Sequence, residues 1–184
     1  MKRALFLDRD GTINIDYHYI RDPELVDLFP GAAEAIKRAN QAGWFVAVVT
    51  NQSGVNRGLI KPVELEAVHK RLGEKLAALG ARIDSYEICI HARSEDCGCR
   101  KPLPRLILEA ATREGIDLAR SVMVGDRLTD VAAGKGAGCK SVLVRTGNGR
   151  EEELLLKLTR ETPALETPDH VADDLLAAVE WALK

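Results

Sequence analysis

Short apolar runs alternate with longer amphipathic stretches along nearly all of this chain, and that alternation limits the fold more than any other property. Residues 4–8, Trp44 to Val49, Tyr86 to Ile90, Val122 to Val124 and Ser141 to Val144 read as five strands. Helices are expected between them. One covers residues 32–42 and is stopped by Gly43. In the next, Leu65, Val68, Leu72, Leu76 and Leu79 recur at three- and four-residue spacing before Gly80. Residues 103–114, with Gly115 behind them, and residues 127–137 complete the series. Glu151-Glu152-Glu153 opens a further helix with a solvated turn, Thr159 to Asp169 reads as a surface connection, and Val171 to Leu183 reads as a C-terminal helix with an apolar face. Strands separated by helices pair in parallel and are covered on both faces, so an α/β sandwich is expected. At 184 residues the chain, 1–184, is the size of one such domain.

In open sheets of this kind ligands bind where strands end. The first strand runs into Asp8-Arg9-Asp10-Gly11-Thr12. Alternation along a strand lets Asp8 and Asp10 face one side, where two carboxylates tolerate each other if a hard cation sits between them or if they share a proton. An aspartate can attack phosphorus, and a second can handle the proton of the leaving oxygen. Thr50, in Val48-Val49-Thr50-Asn51-Gln52-Ser53-Gly54, is expected level with Asp8 on a neighbouring strand end, with a hydroxyl and backbone N–H groups for phosphate oxygens. Arg100-Lys101-Pro102 supplies cations to offset developing phosphate charge: Lys101 as a point charge, Arg100 as a fork for a second phosphate or a hydroxyl. Val124-Gly125-Asp126-Arg127 ends another strand, where Asp126 would complete a Mg²⁺ site with Asp8, and Asp130 one turn later would orient it. Each segment alone is an ordinary turn or helix start. The ordered series Asp-x-Asp, Thr, Lys, Asp is not ordinary.

Cys89-Ile90-His91, five residues, then Cys97-Gly98-Cys99 is a third constellation. Three thiolates and an imidazole at this spacing match a closed, tetrahedral structural zinc site, which leaves no open position for catalysis. Its proximity to Arg100 and Lys101 suggests that zinc holds the loop that places them. Cys139 reads as a packing residue. His18, His69 and His170 read as surface or packing residues, His18 with a minor claim to a substrate contact. The formal net charge of −2 gives no sign of a nucleic-acid partner, and no apolar run approaches membrane-spanning length. A small acidic chain of this kind, without a signal-like start, is expected to be a cytoplasmic monomer.

The four motifs, at Asp8/Asp10, Thr50, Lys101 and Asp126/Asp130, resemble those of the haloacid dehalogenase superfamily of phosphohydrolases, from residue 4 to about residue 146. The resemblance implies a Rossmann-like three-layer sandwich without a large cap domain. It makes Asp8 the nucleophile that becomes an aspartyl-phosphate and Asp10 the acid and then the base. It places Mg²⁺ on Asp8, the backbone carbonyl of Asp10, and Asp126. Superfamily ATPases carry Thr where Asp10 stands, so the resemblance is to phosphatases. With its zinc loop the chain is similar to the D-glycero-D-manno-heptose 1,7-bisphosphate 7-phosphatases, which share that loop with histidinol-phosphate phosphatases. The segments Asn14–Tyr19 and Asn51–Gly58 resemble the heptose group and depart from it at Tyr17-His18. The implied substrate contacts are Asp16, Tyr19, Asn51, Gln52, Ser53, Arg57, Arg100 and Arg127, with a small sugar bisphosphate as the partner and histidinol phosphate as the competing substrate.

Overall fold

The computed structural model describes residues 1–158 and 166–184. The elements in chain order are β1 (Ala4–Leu7), α1 (Ala32–Gln41), β2 (Phe45–Asn51), α2 (Pro62–Ala78), β3 (Ser85–Cys89), α3 (Arg105–Glu114), β4 (Val122–Gly125), α4 (Leu128–Ala137), β5 (Lys140–Val144), α5 (Gly149–Leu158), β6 (His170–Ala172) and α6 (Leu175–Ala182). The strands form one parallel sheet in the order β3-β2-β1-β4-β5-β6. The expected parallel sandwich is therefore present.

Alternation along the strands divides the core. Leu5, Leu7, Val46, Val48, Val122, Val124, Val142 and Val144 face one side and pack with Ile36 of α1, Leu72 and Leu76 of α2, and Val179 of α6. Ala4, Phe6, Ala47, Val49 and Met123 face the other, against Leu106, Ile107 and Ala110 of α3 and Ala133 of α4. These strand residues are almost wholly buried on both faces. That is why their sequences read as continuous apolar runs, as a two-sided parallel sheet requires. Gly115 and Gly138 close α3 and α4 in the left-handed conformation, at φ 67° and 87°, where a side chain would be strained.

The C-terminal reading needs correction. Val171 to Leu183 is not one helix: His170–Ala172 pairs with β5 as a sixth strand, and α6 starts only at Leu175. Asp174 caps it, accepting a hydrogen bond from the Ala177 N–H at 2.8 Å. Three residues are too few to display a period of two, and the helical pattern that follows absorbed them. The expected turn at Glu151–Glu153 is not simply solvated either. Glu152 accepts from the Leu128 N–H at the start of α4, and Glu153 pairs with Arg145 and Lys157. Of the expected surface connection Thr159 to Asp169, residues 159–165 lie outside the described residues. Between Thr12 and Pro30 there is only a short 3₁₀ turn, Pro23–Leu25, so nothing the size of a cap covers the C-terminal ends of β1, β2 and β4.

Candidate active site

Asp8 leaves the end of β1 in the middle of the sheet, and its N–H donates to the Val124 carbonyl of β4 at 2.9 Å. Asp126 follows β4 directly, and Asp130 lies in the first turn of α4. Together Asp8, Asp126 and Asp130 are three buried carboxylates with oxygens within 4.8 Å of one another. Lys101 lies well beyond the end of β3 rather than at a strand end, and its loop carries it back into this cluster. Its ammonium donates to Asp8 Oδ1 at 2.8 Å and to the Val49 carbonyl at 2.6 Å, and it pairs with Asp130 Oδ1 at 2.7 Å. The ammonium is thus engaged within the protein by two hydrogen bonds and an ion pair. Burial would lower the Lys101 pKa, but Asp130 and Asp8 outweigh it and hold the amine above its usual value. Burial, with Asp130 and Asp10 adding to it against Lys101, pushes Asp8 up to about 6. Burial and then Asp8 push Asp126 up to about 6 as well. One lysine does not balance three buried carboxylates.

Asp10 contributes no side-chain oxygen to this cluster. Its Oδ1 accepts from Arg9 Nε and Asn14 Nδ2, each at 3.0 Å. Its Oδ2 accepts from an Arg9 terminal nitrogen at 2.6 Å and from Gln52 Nε2 at 2.9 Å. Burial would raise its pKa, but Arg9 with Asn14 and Gln52 holds it below the usual carboxylate value. The same Gln52 amide donates to Thr50 Oγ1 at 2.9 Å. Thr50 is not level with Asp8: Leu7 pairs with Val48, so Asp8 falls beside Val49 and Thr50 lies one residue further out.

Behind Asp10, the buried Arg9 guanidinium reaches His69 Nε2 of α2 at 3.0 Å, and the imidazole stacks on Tyr86 with centroids 4.7 Å apart. Burial and then Arg9 depress His69 to about 3, against a pull from Asp10. His69 is thus a packing residue that also serves as acceptor for Arg9. An imidazole that stays neutral in the fold but protonates near pH 6.5 when unfolded makes the unfolded state bind more protons. Its neutral burial favours the fold above pH 6.5, and stability falls as pH drops from 6.5 toward 3. His69→Gln, which keeps an acceptor for Arg9, is expected to show a shallower loss of melting temperature over that window. Superimposable pH curves for the two proteins would exclude this role for His69.

The loop after β5 completes the floor, and nothing in the sequence reading singled it out. Thr146 Oγ1 donates to the Gly11 carbonyl at 2.7 Å. The Asn148 backbone N–H and Nδ2 donate to Asp126 Oδ2 at 2.8 and 2.9 Å. Asp126 Oδ1 is buried without a hydrogen-bond partner. An orphaned carboxylate oxygen beside two further carboxylates, all hard oxygen donors, fits a Mg²⁺ ion held by Asp8 and Asp126. Gly11, at φ +86°, is required here, since a Cβ would lie 2.3 Å from Asp126 Oδ2.

The expected zinc ligands also converge. Cys99 Sγ lies 3.2 Å from Cys89 Sγ and 3.4 Å from His91 Nδ1, while Cys89 Sγ lies 3.8 Å from Cys97 Sγ and 3.7 Å from His91 Nδ1. Ligands on a tetrahedral zinc stand about 3.5–3.8 Å apart, given bonds of about 2.0–2.3 Å. The four residues thus fit Zn²⁺. Burial pushes the Cys89 thiol up to about 12, so a cation is needed to keep it as a thiolate. Arg100 donates to the His91 carbonyl at 3.2 Å, tying the loop to the next motif. Cys139 lies buried in the core beside α3 and α4, as expected of a packing residue.

A cleft of about 980 Å³ opens above the carboxylates. Asp8, Asp10, Thr50 and Lys101 line it, together with all eight expected substrate contacts: Asp16, Tyr19, Asn51, Gln52, Ser53, Arg57, Arg100 and Arg127. Several of these already bond to the protein itself. Asn51 accepts from the Lys101 N–H at 3.1 Å and donates to its carbonyl at 3.2 Å, so its amide serves to place Lys101. Gln52 is held by Asp10 and Thr50 as described. Tyr19 stacks under the Arg57 guanidinium and bonds it through the phenol oxygen. Arg93 also lines the cleft and was not singled out in the sequence, as does Glu152, read there only as part of a solvated turn.

A HAD-hydrolase-like family model matches residues 98–178. The D-glycero-beta-D-manno-heptose-1,7-bisphosphate 7-phosphatase of Bordetella bronchiseptica is 38% identical over 99% of this chain and 98% of its own length. The D-glycero-D-manno-heptose-1,7-bisphosphate 7-phosphatase of Thermosynechococcus vestitus is 40% identical, covering 97% of this chain and 94% of its own. The crystal structure of the B. bronchiseptica D,D-heptose 1,7-bisphosphate phosphatase with magnesium and phosphate superposes with a TM-score of 0.89, covering 100% of this chain and 98% of that one.

Proposed function

The chain belongs to the haloacid dehalogenase-like hydrolases and, within them, to the heptose 1,7-bisphosphate 7-phosphatase family, and from that premise we propose how its residues act. It is a Mg²⁺-dependent phosphatase that removes the C7 phosphate of D-glycero-D-manno-heptose 1,7-bisphosphate. The observation that carries the reading is the hold of Lys101 on a single oxygen of Asp8, Oδ1. Among the described residues nothing hydrogen-bonds Oδ2, which is left to attack in a cleft bordered by Arg57, Arg100 and Arg127.

In the first step Asp8 Oδ2 forms a bond to phosphorus while the bond from phosphorus to the sugar oxygen breaks. The electron pair goes to that oxygen, which takes a proton from Asp10. An arriving phosphate dianion beside Asp10 favours its protonated form against the pull of Arg9. In the second step Asp10 takes a proton from water, the water oxygen bonds to phosphorus, and the bond to Asp8 breaks to release phosphate. Bound Mg²⁺ neutralises the carboxylates and polarises the transferring phosphoryl group. Zn²⁺ in the Cys89–Cys99 loop holds Arg100 and Lys101 in place. The protein acts as a monomeric single domain in the cytoplasm. No helix among the described residues is long and apolar enough to cross a membrane.

The test is phosphate release with Mg²⁺ from both anomers of the heptose bisphosphate and from histidinol phosphate. A strong preference for a heptose anomer is expected, and a preference for histidinol phosphate would overturn the substrate. Arg100 is the cation for the distal phosphate. Arg100→Ala is expected to raise KM roughly tenfold or more for the bisphosphate and little for a C7 monophosphate, since it removes one charge-assisted contact. Equal increases for both would remove that role.

A further inference from the structure

Asp126 differs from the other carboxylates at the floor of the site. Lys101 holds Asp8 and Asp130, and Arg9 holds Asp10. Among the described residues no cationic side chain pairs with Asp126. Both donors to it come from one residue, Asn148, and both go to one oxygen, Oδ2. That oxygen is also walled in by backbone, since a Cβ on Gly11 or on Gly147 would lie 2.3 Å from it. Thr146 ties the two walls together through its bond to the Gly11 carbonyl. A free carboxylate has two equivalent oxygens and rotates between them. Here two donors and two glycines make the oxygens unequal and leave Oδ1 buried and unbonded.

We propose that Asn148 is a positioning residue for the divalent cation: it clamps Asp126 Oδ2 so that Oδ1 stays presented to the metal. The inference rests on the reading above only in taking Asp8 and Asp126 as the cation's ligands. Groups that hydrogen-bond a metal-binding carboxylate fix its orientation, and their loss costs about 10–100-fold in metal affinity. Asn148→Ala removes the Nδ2 donor and leaves the backbone donor, on a partly exposed loop where truncation does not disturb the core.

The experiment is a titration of zinc-loaded, magnesium-free protein with Mn²⁺, an oxygen-preferring ion that the thiolate loop does not favour. Free Mn²⁺ is read by electron paramagnetic resonance for wild type and for Asn148→Ala. The expected result is a Kd about 10–100-fold weaker in the variant. Its metal-free melting temperature should stay within a few degrees of wild type. Equal Mn²⁺ affinity in the two proteins would overturn the proposal, as would a lowered metal-free melting temperature with unchanged affinity, which assigns Asn148 to the fold alone. If wild type binds Mn²⁺ tightly, the variant weakly, and neither releases phosphate from the heptose bisphosphate, the substrate reading fails and the role of Asn148 stands.

Discussion

Asp8→Asn is expected to abolish phosphate release, lowering kcat by about 10⁴-fold or more. The amide is close in shape to the carboxylate and can keep its oxygen on the Lys101 ammonium, where Asp8 Oδ1 now sits at 2.8 Å. Its NH₂ then occupies the place of Oδ2 and has no lone pair to offer phosphorus. The change removes one buried negative charge from a cluster that holds three carboxylates against one lysine. The variant should therefore be no less stable than wild type without Mg²⁺, and its loss of activity is not a loss of fold. Phosphate release under saturating substrate and Mg²⁺, with intact-mass analysis for a phosphorylated protein, gives the answer. No adduct and no turnover are expected, and ordinary turnover by this variant would end the aspartyl-phosphate mechanism.

Lys101→Met should injure both fold and rate. The side chain is 3% exposed, and its ammonium hydrogen-bonds Asp8 and the Val49 carbonyl and pairs with Asp130. Removing it leaves two buried carboxylates without their shared cation, a change that costs about 3–5 kcal/mol where such pairs have been broken. For a chain of this size that is a fall of roughly 10 °C in melting temperature. The charge that offsets the transferring phosphoryl group is lost too, worth about 10²–10³ in kcat. Asp8, freed on both oxygens, also loses the distinction between the one that is held and the one that attacks. A Lys101→Met protein with wild-type melting temperature would show that the lysine does not carry the buried charge balance. One with wild-type kcat would remove it from the chemistry.

What was legible in the sequence follows from distance along the chain. The strand ends at Asp8, Thr50 and Asp126 are marked by apolar runs stopping at polar turns, and Gly43, Gly80 and Gly115 mark helix ends as single residues can. The zinc ligands fall within one short loop, so spacing alone gathers them. The contacts that set the chemistry of Asp10 and Asp126 join distant segments. Arg9 meets His69 across 60 positions, Asn51 places Lys101 across 50, and Thr146 reaches Gly11 across 135. Periodicity reports only which face a residue occupies, so His69 appears in the sequence as one more position on an apolar helix face. The sheet order that brings the β5 loop against the β1 loop is a property of the whole topology. The strand β6 was hidden for the opposite reason: it is too short to have a period.

The segment between Thr12 and Pro30 has a consequence for how this molecule meets its surroundings. With only one 3₁₀ turn there, the cleft lined by Arg57, Arg100 and Arg127 is open, and under the proposed function those arginines retain substrate without enclosure. Attraction between a bisphosphate and exposed guanidinium groups weakens as dissolved ions screen it, over about 8 Å at physiological strength. Under the proposed function, capture and release would thus answer to the salt content of the medium, where an enzyme with a lid would answer to the stiffness of a hinge.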